Sequence, residues 1–252
     1  MFKITLDKGL LSLVKDKRVA VVGPSPHLVG TGAGEKIDNY DVVVRMNDIV
    51  PKNSLRVDYG SRTDIMVHNL GTPWMTGLKN KIAAFPEEYA KLKMVICTAI
   101  KADHQHGDWM HAASPKHMDL IENFKSINVN DTPFYWIGWR DYMILYQYYR
   151  TELYTGTTTL SLLLSYPVKE LYVTGMTFHQ DGDTNKELYI DGHWDAEDLK
   201  NRPQTGGKGG FHAGATSRTQ MNMLREIINK NNRVTIDSKL EEFGFISHDP
   251  TL

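Results

Sequence analysis

Short apolar runs alternate with amphipathic segments along most of this chain. The runs are rich in valine, isoleucine and aromatic residues, which is typical of buried strands. They predict strands at 18–23, 42–45, 65–67, 94–97, 134–137, 170–175 and 233–236. Apolar positions at helical spacing predict helices within 1–17, 30–38, 86–92, 116–125, 142–149, 156–166 and 215–230. Because strands and helices alternate, we expect a mostly parallel, twisted sheet flanked by helices, in a single Rossmann-like α/β domain over 1–252.

The first predicted strand ends in a glycine-rich loop. Val19–Val22 runs into the turn Gly23-Pro24-Ser25-Pro26, and Gly30, Gly32 and Gly34 follow. Such strand ends bind nucleotides in open α/β sheets, because small residues let the backbone approach a phosphate or ribose and free N–H groups donate to it. A tight turn between a strand and a helix produces the same pattern. The glycines alone therefore leave a nucleotide site and a purely structural turn open.

Composition narrows the class of protein. The 252 residues are 41% hydrophobic and 23% charged, which suits a globular α/β domain. The net charge of −1 argues against a nucleic-acid partner held by bulk attraction. The single cysteine, Cys97, excludes an internal disulfide and fits a reducing compartment. No apolar run is long enough to span a membrane and the N-terminus lacks the apolar core of a signal peptide, so we expect a cytoplasmic protein without a transmembrane segment.

Linked short motifs between residues 18 and 69 resemble the large sialylmotif of the sialyltransferases, glycosyltransferase family 29. In that motif a strand ends in Gly-Asn-Ser, a glycine-containing segment follows, and three further motifs come in fixed order. Here the four named motifs read Gly23-Pro24-Ser25, Ile37-Asp38, Val43-Val44-Arg45-Met46-Asn47 and Asp58-Tyr59-Gly60-Ser61-Arg62-Thr63.

The resemblance implies that Gly23, Ser25 and Asn47 bind the donor nucleotide. Pro24 stands where the family has asparagine, and proline has neither an N–H nor an amide side chain. One nucleotide contact is therefore lost, or is replaced by a neighbour such as His27.

A second segment carries hydroxyls at a predicted helix start. Thr155-Gly156-Thr157 precedes a leucine-rich helix, and the following strand ends in Thr174-Gly175. Hydroxyls and a glycine at a helix N-terminus form an anion site, but N-capping by threonine explains the same residues. The segment resembles the family's small sialylmotif, in which the strand often ends in Tyr-Gly. The resemblance implies that Thr155, Gly156 and Thr157 hold the phosphate of a CMP-sugar.

Two histidines match the remaining family motifs. The segment 189–194 is similar to the third motif, which implies that Tyr189 lines the donor site and that His193 contacts the phosphate and assists the leaving group. His212, just before the last long helix, matches the fourth motif. The resemblance implies that His212 is the base that takes the proton of the acceptor hydroxyl, and its ordinary pKa suits that role. Ser217 stands where the family often has glutamate.

The resemblance implies a minimal, soluble glycosyltransferase of the variant GT-A type. It would move sialic acid, or a related sugar acid such as Kdo, from its CMP-activated form to a hydroxyl of a glycan or glycolipid, with inversion and without metal or cofactor. We expect the loops at 71–85 and 101–117 to choose the acceptor. Four histidines lack clean metal-ligand spacing, so a solvated or acceptor-side loop is favoured over a metal site: His104, His106, His111 and His117.

Two other functions stay open at this point. Proline at position 24 and serine at position 217 suit a non-catalytic nucleotide-binding module. The series Gly30-Thr31-Gly32-Ala33-Gly34 suggests an NAD-dependent oxidoreductase, although it lies too far past the strand for the dinucleotide fingerprint.

Overall fold

The computed structural model describes residues 2–47, 53–70, 72–98, 124–125, 128, 130–151, 153–178 and 215–248, without the side chains of 72–77 and 215–217. Its strands form one parallel sheet. They are β1 (Arg18–Val22), β2 (Val42–Met46), β3 (Ile65–His68), β4 (Met94–Cys97), β5 (Phe134–Trp136), β6 (Glu170–Thr174) and β7 (Val234–Ile236).

The order across the sheet is β5-β4-β3-β2-β1-β6-β7. Val21 of β1 pairs with Val44 of β2 on one side and with Val173 of β6 on the other. The chain thus adds strands outward from β1 to β5 and then returns to lay β6 on the opposite side of β1. Open α/β sheets bind ligands outside the carboxyl ends of the strands at such a reversal. The topology therefore predicts a ligand site at the carboxyl ends of β1 and β6.

Helices cover both faces of the sheet, so its central strands are buried except at Arg18, the first residue of β1. The apolar α7 has its leucines at most 2% exposed, as expected for a helix that is hydrophobic all round. The helices are α1 (Lys8–Val14), α2 (Gly34–Asp38), α3 (Arg56–Tyr59), α4 (Thr72–Ala84), α5 (Pro86–Tyr89), α6 (Trp139–Tyr149), α7 (Thr155–Leu164), α8 (Ala215–Ile228) and α9 (Ser238–Glu242), with 3₁₀ turns at Pro26–Leu28 and Asn53–Leu55.

The structure confirms the predicted fold class and corrects one segment. The region 71–85, expected to be a loop, contains the helix α4. Pro73 suggested a break, but proline in the first turn of a helix removes no intrahelical hydrogen bond. The second expected loop, 101–117, lies outside the described residues. None of the helices that the structure describes is both long and apolar enough to cross a lipid bilayer.

Candidate functional site

The carboxyl ends of β1 and β6 meet at two glycines. Gly23 donates its N–H to Thr174 O at 2.8 Å, and Gly175 has a φ of 69°. A Cβ on Gly23 would lie 2.2 Å from Gly175 O, and a Cβ on Gly175 would lie 2.4 Å from Gly23 O. Neither position accommodates a side chain. The small size of Gly23 therefore lets its backbone pack against the end of β6, and not only against a ligand.

Ser25, in the turn after β1, is buried and fixed by several hydrogen bonds. It is only 3% exposed, donates its N–H to Gly175 O at 2.9 Å, and accepts a hydrogen bond from the Tyr59 hydroxyl on its carbonyl at 2.5 Å. Its Oγ lies 3.0 Å from His27 Nδ1. These hydrogen bonds fix the loop that contains Ser25, and the hydroxyl oxygen has bonding capacity to spare.

Asn47 directly follows β2 in an unusual conformation. Its φ is 64°, a left-handed value that asparagine tolerates better than most residues, and its N–H donates to Val67 O at 2.8 Å. Its side-chain Oδ1 is buried and has no hydrogen-bond partner among the described residues. A buried acceptor left unpaired costs about 1–3 kcal/mol, so Asn47 is suited to receive a ligand group.

The start of α7 also presents unpaired groups. The first N–H groups of a helix have no intrahelical acceptors. In α7 the N-cap residue is Tyr154, and its side chain makes no capping hydrogen bond to them. The hydroxyls of Thr158 and Thr159 turn back to Tyr154 O at 3.0 Å and Thr155 O at 2.7 Å. Thr157 Oγ1 is buried and unpaired within the described part of the chain. N-capping by threonine, the alternative that the sequence left open, is therefore wrong.

These elements converge around Met176, one residue past Gly175. A Cβ on Gly156 would lie 2.6 Å from Met176 Cε and 3.5 Å from Met46 Sδ. A Cβ on Gly23 would lie 2.6 Å from Met176 Cγ. The start of α7, the end of β2 with Asn47, and the turn after β1 thus form one cluster.

The glycine loop after β1 has a structural role. The carboxylate of Asp58 accepts a hydrogen bond from the N–H of Gly32 at 2.8 Å and faces the N–H groups of Gly30 and Thr31, the second of which donates to Leu28 O at 3.0 Å. The backbone N–H groups of Gly30 and Gly32 lower the pKa of Asp58 below its usual range, against the opposing effect of burial. The loop thus encloses an anion of the protein itself. Of the two alternatives that the sequence left open for these glycines, the structural turn is the one observed in this loop, and the glycine series gives no basis for a dinucleotide site.

Most other residues of the first motif stabilise the fold through hydrogen bonds within the protein. Arg45, only 4% exposed, donates to Tyr59 O and to Arg62 O at 3.0 Å. Asp38 accepts from Ser61 N at 2.8 Å and from Arg62 N at 3.0 Å. These bonds fasten the loop after α3 to β2 and place the Tyr59 hydroxyl that holds Ser25.

His27 and Asp237 form a link that sequence reasoning found only in part. His27 Nε2 lies 2.9 Å from Asp237 Oδ2, which also accepts from Thr174 Oγ1 at 2.8 Å and Gly175 N at 2.9 Å. Burial alone would raise the pKa of Asp237, but the bonds from His27, Gly175 and Leu240 N lower it overall. The sequence offers His27 as a substitute for the missing asparagine. Asp237 follows β7 and lies 210 positions from His27 in the sequence. The sequence marks Asp237 only as an aspartate that could cap the helix α9.

Three predicted site residues lie outside the described residues: Tyr189, His193 and His212. The helix α8, which follows His212 in the sequence, is tied to the site, because its Gln220 Oε1 accepts from Tyr154 N at 3.1 Å. In the described ranges, no three histidine, cysteine, aspartate or glutamate side chains are grouped so as to hold a metal ion. The predicted loop histidines lie outside those ranges: His104, His106, His111 and His117.

Comparison with known proteins gives one family. The model of glycosyltransferase family 29 (sialyltransferase) matches residues 10–133. No curated protein matches the sequence.

Solved structures of sialyltransferases resemble the fold. Cst-I from Campylobacter jejuni, a monofunctional α-2,3-sialyltransferase, is 13% identical with a TM-score of 0.56, over 98% of this chain and 84% of that one. A Cst-II variant in complex with CMP is 15% identical with a TM-score of 0.54, over 92% and 86%. A mammalian sialyltransferase in complex with a Gal-β-1,3-GalNAc derivative is 16% identical with a TM-score of 0.45, over 92% and 74%. The likeness to the two Cst structures concerns the fold alone.

Proposed function

We propose that this chain, whose residues 10–133 match the model of glycosyltransferase family 29, transfers sialic acid, or a related sugar acid such as Kdo, from its CMP-activated form to a hydroxyl of a glycan or glycolipid, with inversion and without metal or cofactor. The observation that carries this proposal is a pair of buried oxygens, Asn47 Oδ1 and Thr157 Oγ1, both unpaired among the described residues. They belong to elements that meet at the reversal of the sheet.

We assign the donor phosphate to the start of α7. The N–H groups of its first turn and the positive end of its dipole attract an anion. Thr157 Oγ1 adds a hydroxyl that can donate, while Asn47 Oδ1 accepts and therefore suits a hydroxyl or amino group of the nucleotide.

The chemistry follows from these assignments. The acceptor oxygen attacks the anomeric carbon as the bond from that carbon to the phosphate oxygen breaks, through a transition state with oxocarbenium character. CMP leaves with the bonding electron pair, and the start of α7 stabilises its growing negative charge. We assign His212 as the base that receives the proton of the acceptor hydroxyl and His193 as a donor to the departing phosphate.

We further propose that residues 1–252 form one transferase domain. All described strands, from β1 near the N-terminus to β7 near residue 236, belong to one sheet, which supports a single unit.

Calorimetry of the purified chain with CMP, with and without EDTA, tests the proposal, with NAD as the control ligand. We expect CMP to bind equally well with EDTA present and NAD not to bind. Turnover is then measured with CMP-sialic acid and CMP-Kdo on a panel of glycans. Binding without turnover would favour a non-catalytic nucleotide-binding module, and binding of NAD in place of CMP would refute the proposal.

A further inference from the structure

We propose that the turn Gly23-Pro24-Ser25 is a subsite that offers a ligand only hydrogen-bond acceptors, that it receives the nucleoside end of the donor, and that His27 sets this polarity. The inference rests on the proposed function and adds a positioning residue that replaces the asparagine missing at position 24.

No backbone donor of this turn is available to a ligand. The N–H of Gly23 is bonded to Thr174 O at 2.8 Å, and the N–H of Ser25 is bonded to Gly175 O at 2.9 Å. Pro24 has no N–H at all. A phosphate requires donors, so the backbone of this turn cannot hold one.

The Ser25 hydroxyl is oriented by His27 and Asp237. A carboxylate can only accept, and Asp237 Oδ2 already accepts from the Thr174 hydroxyl and Gly175 N. His27 Nε2, at 2.9 Å, must therefore carry a proton. In the neutral imidazole Nδ1 is then an acceptor, and Ser25 Oγ at 3.0 Å donates its only proton to it. The lone pairs that remain on Ser25 Oγ can only accept a hydrogen bond.

This polarity orients the nucleotide. Acceptors attract the amino group of cytosine or the hydroxyls of ribose, and they repel phosphate oxygens. The donors of the site lie instead at the start of α7, next to Met176. The nucleoside end is thus placed over β1, and the phosphate at α7. Because Ser25 is only 3% exposed, the hydrogen bond is shielded from water, and a ligand without the matching donor would leave an unpaired contact.

The test compares four ligands on four proteins by calorimetry. The ligands are CMP, UMP (in which a carbonyl replaces the amino group), 2′-deoxy-CMP and 3′-deoxy-CMP. The proteins are wild type, Ser25→Ala, His27→Phe and His27→Gln, each checked by thermal unfolding. Glutamine offers one donor for Asp237 and one acceptor for Ser25, so it serves as the rescue variant. Unfolding of the apo proteins separates a loss of folding from a loss of recognition.

We expect wild type to prefer CMP over at least one of the other three ligands by about 2–12-fold, the value of one hydrogen bond. The ligand that loses affinity shows whether the amino group or a ribose hydroxyl is read. Ser25→Ala and His27→Phe should abolish that preference, and His27→Gln should retain it. Folded His27→Phe with the wild-type preference would overturn the inference and leave the proposed function intact. If wild type binds CMP but prefers it over none of the three, the inference also falls. If wild type does not bind CMP, both fall.

Discussion

Gly23 and Gly175 each occupy the space in which the side chain of the other would lie. A Cβ on Gly175 would meet Gly23 O at 2.4 Å, and the φ of 69° at Gly175 is strained for any other residue. This contact keeps the loops after β1 and β6 together, and with them Ser25, whose N–H is bonded to Gly175 O.

We predict that Gly175→Ala lowers the free energy of unfolding by about 2–5 kcal/mol, because left-handed strain and a steric clash add. Gly30→Ala is the matched control: its φ is 82°, but no atom lies within 4 Å of its Cβ position. Strain alone should cost it about 1–2 kcal/mol. Urea denaturation of both variants measures the difference, and equal losses would show that the contact with Gly23 contributes nothing.

Thr157→Val should separate stability from binding. It removes a buried hydroxyl without a partner among the described residues, so the free energy of unfolding should stay the same or rise slightly. A hydrogen bond to a charged phosphate is worth more than a neutral one, so CMP affinity should fall by about tenfold or more. Denaturation and calorimetry on the same preparation give both values.

Thr159→Val is its control on the same helix. Its hydroxyl donates to Thr155 O at 2.7 Å, and losing that bond should cost about 1 kcal/mol of stability while CMP affinity is unchanged. Equal CMP affinity of Thr157→Val and wild type would remove Thr157 from the donor site.

Asp58 should contribute to stability in a pH-dependent way. The pKa of Asp58 is lowered in the folded protein, so its contribution is present above the ordinary aspartate pKa of about 3.9 and is lost as the pH falls through the folded value. Asp58→Asn should therefore unfold at a lower temperature at pH 7, and its stability should depend less on pH between about 5 and 2. Melting curves across that range test this.

The control for Asp58 is Asp16→Asn, at an exposed aspartate with a φ of 57° that asparagine tolerates. It should retain the wild-type acid dependence. The same acid dependence in Asp58→Asn would show that the glycine loop does not need its internal anion.

His212→Ala should lower kcat by about 10²–10⁴-fold with CMP affinity largely kept, because a general base acts on the acceptor and not on the nucleotide. His248→Ala is the control histidine. Its Nε2 lies 3.2 Å from Asn229 O and its N–H is bonded to Val234 O at the amino end of β7, away from the proposed site. If both variants turned over at the wild-type rate, another group would have to be the base.

The sequence determined the strands and most helices, because the spacing of apolar residues differs between buried strands and helices and can be read within each segment alone. The apolar runs at Val42–Met46 and Met94–Cys97, for instance, appear in the structure with bounds that differ from the prediction by at most one residue. The alternation of strands and helices then implied a parallel sheet. The motifs around Ser25, Asn47 and Gly156 likewise located strand and helix ends that the sheet reversal brings together.

Only the tertiary structure decided which polar groups are still available to a ligand. The glycine series leaves a phosphate loop and a structural turn open, and the structure shows the N–H of Gly32 bonded to Asp58, 26 positions further along the chain. The Ser25 hydroxyl contacts His27, two positions along the chain, and His27 in turn contacts Asp237, 210 positions away. A local pattern cannot show these pairings, because a hydrogen bond depends on which groups meet in space, and strand order sets that.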